Sequence, residues 1–143
     1  MTIVGEKNFH TFRWTMTVGT AAGYSSEARE RMPEQEVASL FQRIAAEVME
    51  AGGAYISAVL MPSRVIYHTD WGCPPGGELT YTFSGSCNPA FSEPKAYRKA
   101  LDEVARRLKT ELSQATLLLE ITPAELVYYR DADGGNGAGK NRE

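Results

Sequence analysis

Two segments of the chain alternate between apolar and polar residues with a period of two. Residues 12–20, FRWTMTVGT, and residues 78–86, ELTYTFSGS, both show this pattern. The period places alternate side chains on opposite faces of a β-strand, so one face of each segment is expected to be buried. The positions predicted to face the core are Phe12, Trp14, Met16, Val18, Leu79, Tyr81 and Phe83.

Two other segments repeat apolar residues every three or four positions, which is the period of an amphipathic helix. The first predicted helix, residues 33–53, begins at Pro33, a residue favoured in first turns, and ends in the Ala-Gly-Gly sequence at 51–53. The second, residues 92–114, begins with Ser92 as its N-cap. The apolar stripes comprise Val37, Leu40, Phe41, Ile44 and Val48 in the first helix and Tyr97, Leu101, Val104, Leu108 and Leu112 in the second.

Three further apolar segments complete the predicted sheet. Residues 54–68 contain Pro62, which cannot donate to a strand ladder and therefore predicts an edge strand or a bulge. Residues 115–122 predict a compact apolar strand, and residues 125–130 a short fifth strand beyond Pro123. The order strand, helix, strand, strand, helix, strand is typical of a ferredoxin-like βαββαβ sandwich. We therefore predict an α+β fold in which two helices cover an antiparallel sheet of spatial order 4-1-3-2.

The length and composition predict one domain followed by a tail. The chain has 143 residues, 43% of them hydrophobic, which suits a single globular domain. Residues 1–130 contain all of the patterned segments. Residues 131–143, DADGGNGAGKNRE, contain no side chain that is larger and more apolar than alanine. We expect this segment to form a flexible, glycine-rich tail because it has nothing to bury.

The charge and residue usage exclude several classes of function. A net charge of −3 is unsuited to nucleic-acid binding, which depends on lysine and arginine at the phosphates. No apolar run approaches the ~18–20 residues of a membrane span. The first residues lack the basic region and apolar core of a signal peptide. Two cysteines without such a signal predict a reducing, cytoplasmic setting.

Residues 68–78, HTDWGCPPGGE, are the segment whose composition most resembles an active site. The proline and glycine pairs predict a sharp hairpin turn. The register of that hairpin sets His68 opposite Glu78, either as an ordinary cross-strand pair or as an acid–base couple. Cys73 lies close in sequence to His68 and Asp70, as in a Cys–His–Asp trio, but a turn tip is a poor place to fix that geometry. These four residues are the candidate catalytic groups.

The same residues do not indicate a metal site or a disulfide. The chain has two histidines and two cysteines without the spacing of a zinc site, so no metal and no cofactor are expected. In the predicted hairpin Cys73 lies at the tip, and Cys87 lies nine residues beyond Glu78. That separation reaches ~30 Å along an extended strand, whereas a disulfide requires Cα atoms within about 7 Å.

Other candidate binding residues lie both within the turn and outside it. The loop 19–26, GTAAGYSS, follows a strand but lacks the lysine and the glycine spacing of a phosphate loop. The open face of the predicted sheet presents Arg13 and Arg64 among threonines. Trp71 would form an apolar wall for a small molecule at the turn. We name Trp71, Arg13 and Arg64 as candidate ligand contacts.

No candidate site exceeds what ordinary turn and strand chemistry explains. We therefore predict a non-enzymatic protein-binding module that uses its sheet face and strand edges. It would self-associate, or act as an inhibitor or accessory of a larger machine, such as nucleic-acid-processing, phage or mobile-element machinery. The alternative is a small-molecule-binding protein or minor enzyme with its site at 68–78. There His68 would act as base and Asp70 or Glu78 would orient it.

Overall fold

The structure is a computed structural model, and it describes residues 4–20 and 31–131. Most of the predicted loop 19–26 and all but the first residue of the predicted tail 131–143 lie outside these residues. The described residues form four strands and two long helices, with a short 3-10 helix at Thr69–Trp71. The elements are β1 (Val4–Gly19), α1 (Glu34–Glu50), β2 (Val59–Val65), β3 (Glu78–Ser86), α2 (Pro94–Glu111) and β4 (Leu118–Asp131).

The four strands form one antiparallel sheet in the order β2-β3-β1-β4. This topology confirms the predicted ferredoxin-like sandwich, since the order 4-1-3-2 is the same sheet read from its other edge. Pro62 lies in the edge strand β2, as its missing N–H predicts. No helix in the described part of the chain is long and apolar enough to cross a membrane.

Strand β4 replaces the two C-terminal strands that the sequence predicted. It pairs with β1 from Leu118 to Asp131 without a break, and Pro123 lies opposite Phe12. Because β4 is an edge strand, a proline within it does not interrupt the sheet. Strand β3 pairs with β1 only from Arg13 to Gly19. On the N-terminal side of Arg13, β1 and β4 continue as a two-stranded ribbon.

The core lies between the sheet and the two helices. Five of the predicted inward positions, Trp14, Met16, Val18, Tyr81 and Phe83, are buried, whereas Phe12 and Leu79 are only half-buried. The ring of Phe83 stacks on Phe41 of α1 with centroids 4.5 Å apart. Trp14 is fully buried, and its indole Nε1 donates a 2.8 Å hydrogen bond to the hydroxyl of Tyr97 on α2. Burial raises the pKa of that Tyr97 hydroxyl. This buried bond links the central strand to α2.

The ends of α2 differ from the sequence prediction in a way that matters for the site. The N-cap is Glu93 rather than Ser92, because the Glu93 carboxylate accepts the first free N–H groups of the helix. At the other end Ser113 adopts the left-handed conformation, with φ of 55°. The N–H of Ser113 bonds to the Thr110 carbonyl, and the N–H of Gln114 to the Lys109 carbonyl. These two bonds define a Schellman motif, which fixes where Gln114 lies.

An ion-pair network joins the exposed sides of the two helices. Arg43 and Glu47 of α1 face Arg107 and Glu111 of α2, and each arginine contacts both glutamates. Hydrogen bonds from Arg107 to Glu47, and from Arg43 to Glu111, are the main cause of the lowered pKa of each carboxyl. The network joins helices of opposite net charge, since residues 33–53 have four acids and one base, −3, and residues 92–114 have six bases and four acids, +2.

The buried bond between Trp14 and Tyr97 gives a stability prediction. Tyr97→Phe removes the acceptor and leaves the buried indole N–H without that partner, so the free energy of unfolding should fall by about 1–3 kcal/mol. Urea unfolding of Tyr97→Phe beside wild type measures the change. Tyr55→Phe, at a more exposed tyrosine, is the matched control. A loss below about 0.5 kcal/mol, the usual range of a surface substitution, would contradict the prediction.

The inter-helix network gives a pH prediction. Because the folded-state pKa values of Glu47 and Glu111 lie below 4.5, their ion pairs stabilise the fold above that value. The contribution is lost as the pH falls through the folded-state values. Stability of wild type should therefore fall more steeply from about pH 5 to about pH 3 than that of Glu47→Gln/Glu111→Gln. Urea unfolding across this range checks the slopes, and added salt should flatten that of wild type. Equal slopes would refute the assignment.

Candidate active site

A cleft of about 400 Å³ lies at one end of the sheet. The end of β1, the end of β2, the start of β3 and the start of β4 meet there, since neighbouring strands are antiparallel. The loop from α2 to β4 closes one side. The described lining residues are Thr17, Gly19, Val65, Tyr67, Trp71, Glu78, Thr80, Gln114, Ala115, Thr116, Leu117 and Leu118.

Glu78 is the only residue with a formal charge among these described lining residues. Its Oε1 accepts a 3.1 Å hydrogen bond from the hydroxyl of Tyr67, two residues beyond β2. The register sets Val65, not His68, opposite Glu78. The predicted pairing of His68 with Glu78 is therefore wrong, because a 3-10 helix and a second tight turn lengthen the connection between the strands.

Gly19 allows an unusually close approach of two polar side chains. A Cβ atom at this position would lie 2.4 Å from Oε2 of Glu78 and 2.8 Å from Oε1 of Gln114. Both distances are shorter than real Cβ contacts allow, so any larger residue would displace these groups. The glycine that ends β1 thus leaves room for both side chains in their present positions.

Gln114 reaches the cleft from the end of α2. Its side chain is buried, and its Nε2 donates a 3.0 Å hydrogen bond to the carbonyl of Leu112. This bond fixes the orientation of the amide, so its oxygen is directed toward Gly19 and Glu78.

A row of hydroxyl groups supports the floor of the cleft. Thr17 and Thr82 are 3.2 Å apart at their hydroxyls, and Ser63 bonds to both Thr82 and Thr80. The guanidinium of Arg31 donates to the backbone carbonyls of Ser63 and Thr80. This network joins β1, β2 and β3, and it includes Thr17 and Thr80, which line the cleft.

The side chains of Cys73, His68 and Asp70 do not form a hydrogen-bonded Cys–His–Asp trio, as the sequence analysis expected of a turn tip. Nδ1 of His68 accepts the N–H of Asp70, which requires the unprotonated nitrogen. The 3.7 Å contact between that nitrogen and the Asp70 carboxylate is therefore not an ion pair in this state. Both side chains are largely exposed. Cys73 is buried, and its thiol donates to the carbonyls of Pro74 and Val65 instead.

The three candidate ligand contacts lie in different places. Trp71 lines the cleft with 73% of its surface exposed, and its ring lies 5.7 Å from that of His68. Arg64 shares a sheet face with Leu79 and bonds to the carbonyl of Gly76. Arg13 lies in a separate depression of about 150 Å³. Within the described ranges no group of three or more His, Cys, Asp and Glu residues suits a metal ion, and both cysteines are free.

Of the candidates named from the sequence, the cleft thus contains Glu78 and Trp71. Tyr67 and Gln114 were missed as site residues, and Gly19 was considered only as part of the loop 19–26. The signals for them were weak: a tyrosine after a predicted strand, a glycine ending another, and a polar residue after a helix. None of these is a motif, because the cleft joins segments that are distant in sequence.

Comparisons with known proteins identify the family. A family model for SAM lyase matches residues 9–130. The fold is similar to that of a phage SAM lyase solved in complex with S-methyl-5'-thioadenosine, with a TM-score of 0.55 and 13% sequence identity. That match covers 86% of this chain and 91% of the other. No curated protein sequence matches the chain.

These findings correct the predicted function. A non-enzymatic protein-binding module, inhibitor or accessory is wrong, because the matched family is named for an enzyme activity. The alternative, a small-molecule site or enzyme involving the turn 68–78, agrees better with the comparisons. The prediction failed because it weighed local motifs, whereas the cleft is assembled from four separate segments. The match extends from β1 through β4, and the chain belongs to the SAM lyase family.

Proposed function

We propose that this chain cleaves S-adenosylmethionine and releases S-methyl-5'-thioadenosine. The observation on which the proposal rests is the cleft lined by both the Glu78 carboxylate, which Tyr67 holds, and an exposed tryptophan. Family membership supports the reaction class, and the ligand bound by the phage SAM lyase of similar fold is the thioether that such a cleavage would release.

The chemistry of the cleft suits this substrate. S-adenosylmethionine has a sulfonium and an ammonium group, and Glu78 supplies one negative charge against them. Trp71 offers an aromatic face that can stack on adenine or attract a cation. Val65, Leu117 and Leu118 make much of the remaining wall apolar. The cleft volume of about 400 Å³ lies within the range of small-molecule sites.

The bond that breaks joins sulfur to Cγ of the amino acid portion, and its electron pair goes to sulfur. A lyase adds no water, so Cγ must gain its new bond from within the substrate. The substrate's own carboxylate can attack Cγ and close a five-membered lactone, which needs no base. One positive and one negative charge disappear in this step, so an apolar wall favours the transition state over the charged reactant.

In this reaction Glu78 acts as a counter-charge that orients the cationic substrate, and Tyr67 fixes the carboxylate. Orientation matters because carboxylate oxygen, Cγ and sulfur must be in line before the bond breaks. Thr17 and Thr80 form the floor against which the substrate would lie.

A cytoplasmic location is part of the proposal. Cys73 and Cys87 are both free, as expected in a reducing compartment. Self-association, or contact with another protein, stays a prediction from the sequence.

Substitution of the carboxylate tests the assignment of the site. Glu78→Gln keeps the size of the side chain but removes its charge, so kcat/KM for S-adenosylmethionine should fall by about 100-fold. Chromatographic assay of S-methyl-5'-thioadenosine measures the rate. Glu103→Gln, at an exposed glutamate paired with Arg106 on α2, is the matched control and should leave the rate unchanged. Wild-type activity in Glu78→Gln would rule out this site.

Isotope labelling tests the proposed bond chemistry. Lactone closure breaks no C–H bond, whereas elimination to an alkene removes a proton from Cβ. Substrate deuterated at both Cβ positions should therefore give a four-carbon product that retains both deuterons, measured by mass spectrometry. Loss of one deuteron would show elimination, and absence of S-methyl-5'-thioadenosine from every reaction would refute the proposed function itself.

A further inference from the structure

We infer that the groove between the C-terminal end of α1 and helix α2 binds a small molecule that has two or more phosphate groups. The groove has a volume of about 470 Å³, which lies within the range of small-molecule sites. It shares no described lining residue with the cleft at the end of the sheet. The inference therefore goes beyond the proposed function and does not depend on it.

The groove stays open because five of its eleven described lining residues are alanine or glycine. Helix α1 ends at Glu50, and Gly52 then adopts a left-handed conformation with φ of 104°. Apart from its chain neighbours, a Cβ atom at Gly52 would meet nothing within 4 Å, so open space lies beside this turn. The five small lining residues are Ala51, Gly52, Gly53, Ala96 and Ala100. None of them has a side chain long enough to fill the space between the helices.

Three cationic side chains of α2 line the groove and have hydrogen-bond donors without a protein partner. Arg106 bonds to Glu103 through Nη2 alone. Arg107 contacts one glutamate of each helix, also through Nη2. Among the described residues, nothing bonds to Nε or Nη1 of either arginine or to the ammonium group of Lys99. Two guanidinium groups and one ammonium group can therefore donate to a ligand in the groove.

The formal charge of the groove favours an anion. Its described lining residues combine these three cations with the carboxylates of Glu47 and Glu103, which leaves a net charge of +1, whereas the whole chain has −3. The C-terminal end of a helix has a partial negative charge, so the end of α1 directs an anion toward the cations of α2. The ligand is therefore expected to lie along α2.

Phosphate groups suit this arrangement better than a carboxylate does. A carboxylate has one charge, the same as each glutamate that the arginines already contact, whereas a phosphate group has about two charges and three acceptor oxygens. Lys99 and Arg106 are seven residues apart, so they lie on one side of α2 about 10.5 Å apart along its axis. Glu103 lies between them, so an anion that spans both cations needs enough charge to outweigh it. A row of two or more phosphates has that charge and can accept charge-assisted hydrogen bonds from both side chains at once.

Binding of inorganic triphosphate tests the inference, because this probe has the phosphate chain and nothing else. Calorimetry with the full chain in about 0.1 M salt should detect binding to wild type. Lys99→Ala and Arg106→Ala should each weaken that binding by about fivefold or more, since each removes charge-assisted hydrogen bonds. Lys109→Ala is the matched control, because Lys109 is an exposed lysine of the same helix that does not line the groove. It should bind triphosphate as wild type does.

The nucleotide ATP distinguishes the phosphate chain from the group to which it is attached. Equal affinities for ATP and inorganic triphosphate would assign recognition to the phosphates alone. Tighter binding of ATP, weakened in the same proportion by Lys99→Ala, would place the nucleoside in the groove as well. Both results support the inference.

Absence of triphosphate and ATP binding to wild type would overturn the inference. An equal loss of affinity in Lys99→Ala and Lys109→Ala would also overturn it, because it would show only a general attraction to the exposed cations of α2. Thermal unfolding should give one midpoint for wild type and both lysine variants, since both side chains are exposed. Either contrary result leaves the proposed function standing, because that function is tested at Glu78 in the separate cleft.

Discussion

Strand β1 hydrogen-bonds to β3 on one side and to β4 on the other, and its side chains alternate between the helices and the outer face. Trp14, Met16 and Val18 are buried in the core, whereas Thr17 and Gly19 line the cleft. The strand that holds the core together therefore also places the site. A slip of one residue in its pairing would exchange the two sets, so the hydrophobic effect that fixes the core also fixes the cleft.

The remaining parts of the cleft are local structures attached to this sheet. The Schellman motif turns the chain at Ser113 and directs Gln114 inward, and the extension beyond β2 brings Tyr67 against Glu78. Arg31 binds the backbone of β2 and β3 beneath them. Each of these three local structures is held by its own backbone or side-chain hydrogen bonds. Hydrogen bonds among the described residues therefore keep the site in its geometry.

The sheet and both helices could be predicted from the sequence because alternation and helical periodicity report burial directly, as at Trp14 and Val104. The cleft could not. Gly19 and Gln114 are separated by most of the chain, and only tertiary pairing brings them together. The position of His68 was also beyond prediction, because the length of the turn decided the register and the hydrophobic pattern did not. Glu78 was named, but with the wrong partner.

The ribbon formed by the outer halves of β1 and β4 has a consequence for how the molecule opens. A two-stranded ribbon is marginally stable in water by itself, and from Val4 to Phe12 no third strand pairs with it among the described residues. One contact between the ribbon and the rest of the fold is the packing of the Tyr128 ring, in β4, against the ring of Phe91. Amide hydrogens there should exchange with solvent long before those beside Gly19. The ribbon is therefore the part of the described sheet that is expected to open first.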